Sequence, residues 1–175
     1  MQDRIIVATD GSDHGVRAVN FAATLSAKLG LGLSIVHVDL HERLSHELAR
    51  LVESEYMLEH LSGLDSFSAV PSAANLWEFY DSTQGEIERF RVIEIISEQV
   101  LERARAAAKA TGATDIRIVR GSGDYADEIL DAVEAERAGI IVLGRRGLGR
   151  LREILLGSVT QKVLHATDRT VVVVQ

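Results

Sequence analysis

The chain predicts an α/β protein, a doubly wound five-stranded parallel sheet with helices on both faces. Three observations carry that expectation. Five short runs rich in β-branched residues are separated by segments with helical apolar spacing. The runs are continuously apolar rather than alternating, as in strands covered on both faces. Glycines gather after the fourth run, where a strand hands over to the next helix.

The elements follow in order. Ile5-Ile6-Val7-Ala8 reads as a buried strand closed by the turn Thr9-Asp10-Gly11-Ser12. From Asp13, the residues Val16, Val19, Ala23, Leu25 and Leu29 keep roughly helical spacing, and Gly30 and Gly32 are expected to stop that helix. Leu33 to Val38 is a second strand. Val92, Ile95, Ile96, Val100 and Leu101 mark a long helix running into Ala104 to Ala110 and ending at Gly112. Ile116-Arg117-Ile118-Val119 is a third strand. Ala126, Ile129, Leu130 and Val133 belong to a helix that Asp124 is placed to cap. Gly139 to Leu143 is the fourth strand, Val159 to Ala166 a helix, and Val171 to Val174 the fifth strand. Residues 1–175 are expected to form a single domain, with one interruption.

That interruption, about residues 40–85, is too long for a plain connection. Leu44, Leu48, Leu51, Val52, Met57, Leu58 and Leu61 suggest amphipathic helix, so the segment is expected to be a helical insertion after strand 2. It holds eight acids against Arg43 and Arg50, and so carries −6 of the chain's −7. Leu76-Trp77-Glu78-Phe79-Tyr80 concentrates aromatics in a chain with few. A solvated helix face accounts for the charges, and packing on the domain accounts for the aromatics as well as a protein contact does.

Composition bounds the function. At 175 residues the chain is long enough to bury a real core. A net charge of −7 argues against general nucleic-acid binding. The absence of cysteine excludes disulfides, thiol catalysis and Cys-ligated zinc. No apolar run approaches the roughly 20 residues of a membrane-spanning helix. The apolar stretch after Met1-Gln2-Asp3-Arg4 is too short for a signal peptide, so the expectation is a cytoplasmic protein with no membrane partner.

The stretch with most chemistry is Gly144-Arg145-Arg146-Gly147, nine residues, then Gly157-Ser158-Val159-Thr160. Glycines at a strand end and at the next helix start let the backbone approach an anion, and the amides and dipole of the helix start favour negative charge. Ser158 and Thr160 add hydroxyls there. The bland alternative is a glycine-rich loop with a serine N-cap. Neither the P-loop pattern nor G-x-G-x-x-G is met. Arg145, Arg146, Arg150 and Arg152 form a basic cluster, read equally well as solvated or as contacting phosphate. Asp10 reads as an Asx-turn residue or as a ligand at the end of strand 1. His14, His37, His41, His46, His60 and His165 are scattered. His37 is expected to be a satisfied core or crevice residue, and nothing orders a catalytic triad or a metal site.

Ile6-Val7-Ala8-Thr9-Asp10-Gly11-Ser12, together with Gly144-x-x-Gly147, nine residues, Gly157-Ser158 and the apolar last strand, resembles the universal stress proteins, in their ATP-binding branch. The resemblance spans about residues 4–39 and 86–175 and leaves out 40–85. It implies that Gly144, Gly147, Gly157, Ser158, Val159 and Thr160 hold ribose and phosphates. Arg146 would lie beside them, Leu143 at the strand end, Ala8, Thr9 and Asp10 along the adenine and ribose, and Val38 against the base. A divalent cation, Mg2+ or Mn2+, would ride on the phosphates. It also implies a homodimer through the last strand, because Val171 to Val174 would otherwise be an unguarded edge. One departure is Arg169-Thr170, where the family often has Cys-Pro before that strand.

The reading is thus an ATP-binding regulatory or stress-response protein, not an enzyme beyond weak ATPase activity, with slow or no hydrolysis because no base stands near the loop. Two alternatives remain. One is a nucleotide-independent dimeric adaptor of the same family, binding a protein partner through the insertion. The other is a transferase or ligase on a related fold, whose expected S-G-G-x-D-S or H-I-G-H loop is missing.

Overall fold

A computed structural model of the chain describes residues 4–39, 86–147 and 156–175, with side chains of 86–92 and 95 excepted. The chain divides into two compact units, Met1–Asp39 with Ser97–Gln175, and Leu40–Ile96. The expected insertion at 40–85, with Trp77, Phe79 and Tyr80, lies outside the described residues, as do Arg150 and Arg152.

Among the described residues the elements run β1 (Arg4–Ala8), α1 (Asp13–Leu29), β2 (Gly32–Asp39), α2 (Glu86–Ala110), β3 (Ile116–Ser122), α3 (Tyr125–Ala135), β4 (Ala138–Gly144), α4 (Ser158–Ala166) and β5 (Thr170–Val174). The five strands form one parallel sheet in the order β3-β2-β1-β4-β5. This is the doubly wound sheet that the apolar runs predict.

Alternation along the strands feeds two cores. Ile5, Val7, Leu33, Ile35 and Val142 face one side, with Ala18, Val19 and Ala22 of α1 and Leu101, Ala104 and Ala108 of α2. Ile6, Val36, Val38, Ile141 and Leu143 face the other, with Ile129 and Val133 of α3 and Val163 of α4. Full burial of each valine, leucine or isoleucine among them contributes about 1.5–3 kcal/mol. Coverage of both faces holds for β1, β2 and β4. It fails at the edge: on β3, Arg117, Ile118, Arg120 and Ser122 are exposed.

Local chemistry sets the helix ends. Ser12 caps α1 by accepting from the Gly15 amide, and Gly30 ends it at φ 66°, a left-handed conformation suited to glycine. Gly32, expected to help stop this helix, is instead the first residue of β2. A Cβ there would strike the Arg4 guanidinium. That guanidinium is buried at the amino end of the sheet, where it bonds Ser34 Oγ at 3.0 Å, the Leu33 carbonyl at 3.1 Å and the Asp115 carboxylate. Asp124 caps α3 as expected, accepting from the amides of Ala126 and Asp127.

Candidate functional site

In an open parallel sheet, a crevice forms beyond the carboxyl ends of neighbouring strands whose connections run in opposite directions. Here those neighbours are β1 and β4, paired through Ala8 and Leu143. β1 sits between β2 and β4, so the ends of these three strands are side by side. Ala8, Val38, Leu143 and Val159 share the apolar cluster on the α3/α4 face.

Beyond β1, Thr9 is buried, and its amide donates to the Val36 carbonyl at 2.9 Å. Asp10 makes the turn weighed for it. Its Oδ1 accepts from the Ser12 amide at 3.0 Å and from Ser12 Oγ at 2.6 Å, an Asx-type turn. Its Oδ2 lies where a Cβ on Gly147 would stand. The carboxylate of the first turn and the glycine of the distant loop therefore meet across the crevice.

Beyond β4, the glycines are required for space. A Cβ at Gly144 would approach the His14 carbonyl carbon and oxygen to 2.9 Å, and one at Gly147 would collide with Asp10. Neither Gly144 nor Gly147 has a positive φ. Positive-φ glycines among the described residues are Gly11, Gly30, Gly112 and Gly123. The strand-to-loop path turns without a left-handed residue, and what it needs is room for close backbone approach.

The two ends of the loop are clipped together. The Gly157 amide donates to the Arg145 carbonyl at 2.9 Å, and the Arg145 amide to Val174 of β5 at 2.6 Å. Thr160 Oγ1, buried, donates to the Gly144 carbonyl at 3.0 Å. Its hydroxyl thus holds the loop to the helix. Ser158 is exposed at the first position of α4 and is not the N-cap that the alternative reading gave it. That place belongs to Gly157, at φ −67° and ψ 154°, with no side-chain cap hydrogen bond. The first intrahelical bond joins the Gln161 amide to Gly157 O, so the amides of Ser158, Val159 and Thr160 stand ahead of the helical ladder. The contrast with α1 is informative. That helix start is closed by Ser12, itself tied to Asp10, whereas α4 opens on bare glycine.

The residues expected at the site thus fall into one neighbourhood. Thr9 and Asp10 sit past β1, Gly144 to Gly147 past β4, and Gly157 to Thr160 at the start of α4, with Arg146 half-buried within the loop. Val38 lies on the far side of β1, paired with Gly121 of β3. Sequence reasoning missed two residues here. A Cβ at Gly15 would come within 2.7 Å of Thr9 Oγ1 and 2.9 Å of Asp10 Oδ1. A glycine in the first turn of an otherwise good helix is the signal that marks it. His14, whose backbone abuts Gly144, gave no signal. No helix among the described residues is long and apolar enough to cross a membrane.

A conserved-family model, the universal stress protein family, matches residues 1–175, and the chain belongs to that family. Its relatives include Universal stress protein YxiE of Bacillus subtilis (strain 168), 27% identical over 175 residues and covering 100% of both chains. Among solved structures, a universal stress protein in complex with cAMP is 22% identical, with TM-score 0.59, covering 99% of this chain and 96% of that one. One from Archaeoglobus fulgidus in complex with dAMP is 19% identical, with TM-score 0.60, covering 98% and 97%. These two likenesses show the same fold.

Proposed function

We propose that this protein binds ATP in the crevice between the β1 turn and the β4–α4 loop, and acts as a nucleotide-responsive regulator in the cytoplasm. The observation that carries the reading is the open start of α4. Among the described residues its first amides lack a side-chain cap, and they adjoin a loop whose glycines let it close against the β1 turn. The residues present fit a nucleotide. Gly144, Gly147 and Gly157, with the amides of Ser158, Val159 and Thr160, would hold phosphates and ribose, and Arg146 would add charge. Ala8, Thr9, Asp10 and Leu143 would border the adenine and ribose, and Val38 would meet the base. The Thr160 hydroxyl would serve the phosphate site by fixing the loop. A divalent cation, Mg2+ or Mn2+, belongs on the phosphates themselves. That two relatives of the same fold are complexes with cAMP and dAMP supports an adenine nucleotide. Turnover is slow or absent in this reading.

The protein works as a homodimer through β5. Among the described residues that strand has a neighbour only in β4, and its four valines are half-buried rather than buried. The 40–85 segment of this one α/β domain is read from its sequence as the element that meets a protein partner. Calorimetric titration with ATP tests the main reading. Saturable binding that Gly147→Val abolishes supports it. Heats at the dilution baseline in the native protein would leave the nucleotide-independent adaptor as the better account.

A further inference from the structure

We infer that His37 is a positioning residue of this crevice: its imidazole fixes the Thr9 carbonyl past β1 and, through Ser97, ties that turn to helix α2. The inference rests on the nucleotide reading only for what the turn is positioned to bind. Along β2, Val36 and Val38 face α3 and α4, while Leu33 and Ile35 face α1 and α2. Alternation puts His37 on the α1/α2 side, where it is only 3% exposed. A polar ring buried there needs partners for both nitrogens. It has them: Nδ1 lies 2.8 Å from the Thr9 carbonyl oxygen, and Nε2 lies 3.1 Å from Ser97 Oγ.

Those partners fix the tautomer. A carbonyl only accepts, so Nδ1 carries the proton and donates, and Nε2 accepts from the Ser97 hydroxyl. The neutral ring is then satisfied at both ends. Burial, the largest influence, holds its pKa below the ordinary 6.5, against the opposing pull of the Thr9 carbonyl, Asp39 and Asp10. A leucine would fill this apolar face, but it would leave the Thr9 carbonyl without this donor.

The consequence lies one residue further on. Thr9 is held from both sides, its amide by Val36 O and its carbonyl by His37. The peptide leading into Asp10 is therefore fixed, and with it the carboxylate that bonds Ser12 and abuts Gly147. The α2 end of the link is Ser97, one turn before the buried Leu101. Movement of α2 along its axis would pull on the ring, and through it on the crevice turn.

Three variants test this, each read by calorimetry with ATP, by amide exchange of Ser12 and by thermal unfolding. His37→Leu removes both bonds. It is expected to weaken ATP about fivefold and to speed Ser12 exchange by a similar factor, the scale of one net hydrogen bond. His37→Asn keeps an amide N–H where Nδ1 stands, and should restore both values to within about twofold of the native protein, even if it is less stable. Ser97→Ala should fall between them. Imidazole nitrogen shifts in the native protein should show the Nδ1–H tautomer. Loss of ATP affinity that tracks stability alone, with no recovery in His37→Asn, would overturn the inference, as would an Nε2–H tautomer. If the native protein binds no ATP, the nucleotide reading fails separately. Ser12 exchange then decides: faster in His37→Leu and restored in His37→Asn supports positioning, and equal rates in all three refute it.

Discussion

Gly157→Asp separates stability from binding, because the structure gives the two effects opposite signs. Gly157 already has the extended backbone of an N-cap, and a Cβ there would meet nothing among the described residues nearer than Arg146 Cα, at 3.5 Å. An aspartate therefore fits without strain. Its carboxylate would accept from an amide of the α4 first turn, contributing a few tenths of a kcal/mol over glycine as a cap. Interaction with the helix dipole would add about 0.3–1 kcal/mol. Restricting the unfolded chain would add about 0.4–1 kcal/mol more. The sum, about 1–2 kcal/mol, raises Tm by about 2–8 °C for a chain of this size. The same carboxylate would occupy the place proposed for phosphate. Two like charges about 4 Å apart at an effective dielectric near 20 repel by about 4 kcal/mol, so ATP affinity should fall more than about a hundredfold. Differential scanning calorimetry and ATP titration of the same sample check both arms. A variant that melts lower than the native protein, or that binds ATP equally well, would refute the reasoning about the open helix start.

Other perturbations have definite expected outcomes. Arg4→Met takes a guanidinium that is only 8% exposed away from Ser34, the Leu33 carbonyl and Glu136, and should cost roughly 1–3 kcal/mol, read as a shift in the denaturant midpoint. Val172→Lys with Val174→Lys should give a monomer by light scattering where the native chain is a dimer; a native monomer at tens of micromolar, roughly where specific dimers persist, sinks the dimer proposal. His37 binds protons more weakly folded than unfolded, so its contribution to stability is complete above about pH 6.5 and is lost as pH falls below that through the lowered folded-state value. Unfolding free energies at stepped pH should therefore show a smaller acid-side slope in His37→Asn than in the native protein. ATP should slow hydrogen exchange within residues 40–85 if that segment senses nucleotide, and equal exchange with and without ATP would reduce it to a decoration.

Much of this was legible from residue type and spacing. The five apolar runs, Gly30 as a helix stop and Asp124 as a cap follow from local physics, because each acts within a few residues of itself. The glycine loop was legible as a feature, but the reason for its glycines was not. Gly147 is required by Asp10, far away in sequence, and only the pairing of β1 with β4 reveals that contact. Gly32 misled for the same reason: beside Gly30 it looks like helix punctuation, whereas its task is to make room for Arg4 across the sheet. Thr160 advertised a hydroxyl at a helix start, and the strand end it grips is sixteen residues back. His37 was readable as a satisfied buried histidine, but its partners came from the turn after β1 and from α2.

Backbone amides of the β4–α4 loop are proposed to receive the phosphates of ATP. Titrating ATP with Mg2+ into isotope-labelled protein, and following each backbone N–H resonance, tests it most directly. Saturable shifts are expected at Gly144 to Gly147 and Ser158 to Thr160, with smaller ones at Thr9 to Ser12. No shift is expected at Arg4, Gly32 or Asp115, at the opposite end of the sheet. Unmoved loop amides at millimolar ATP, or shifts confined to residues away from this crevice, would contradict it.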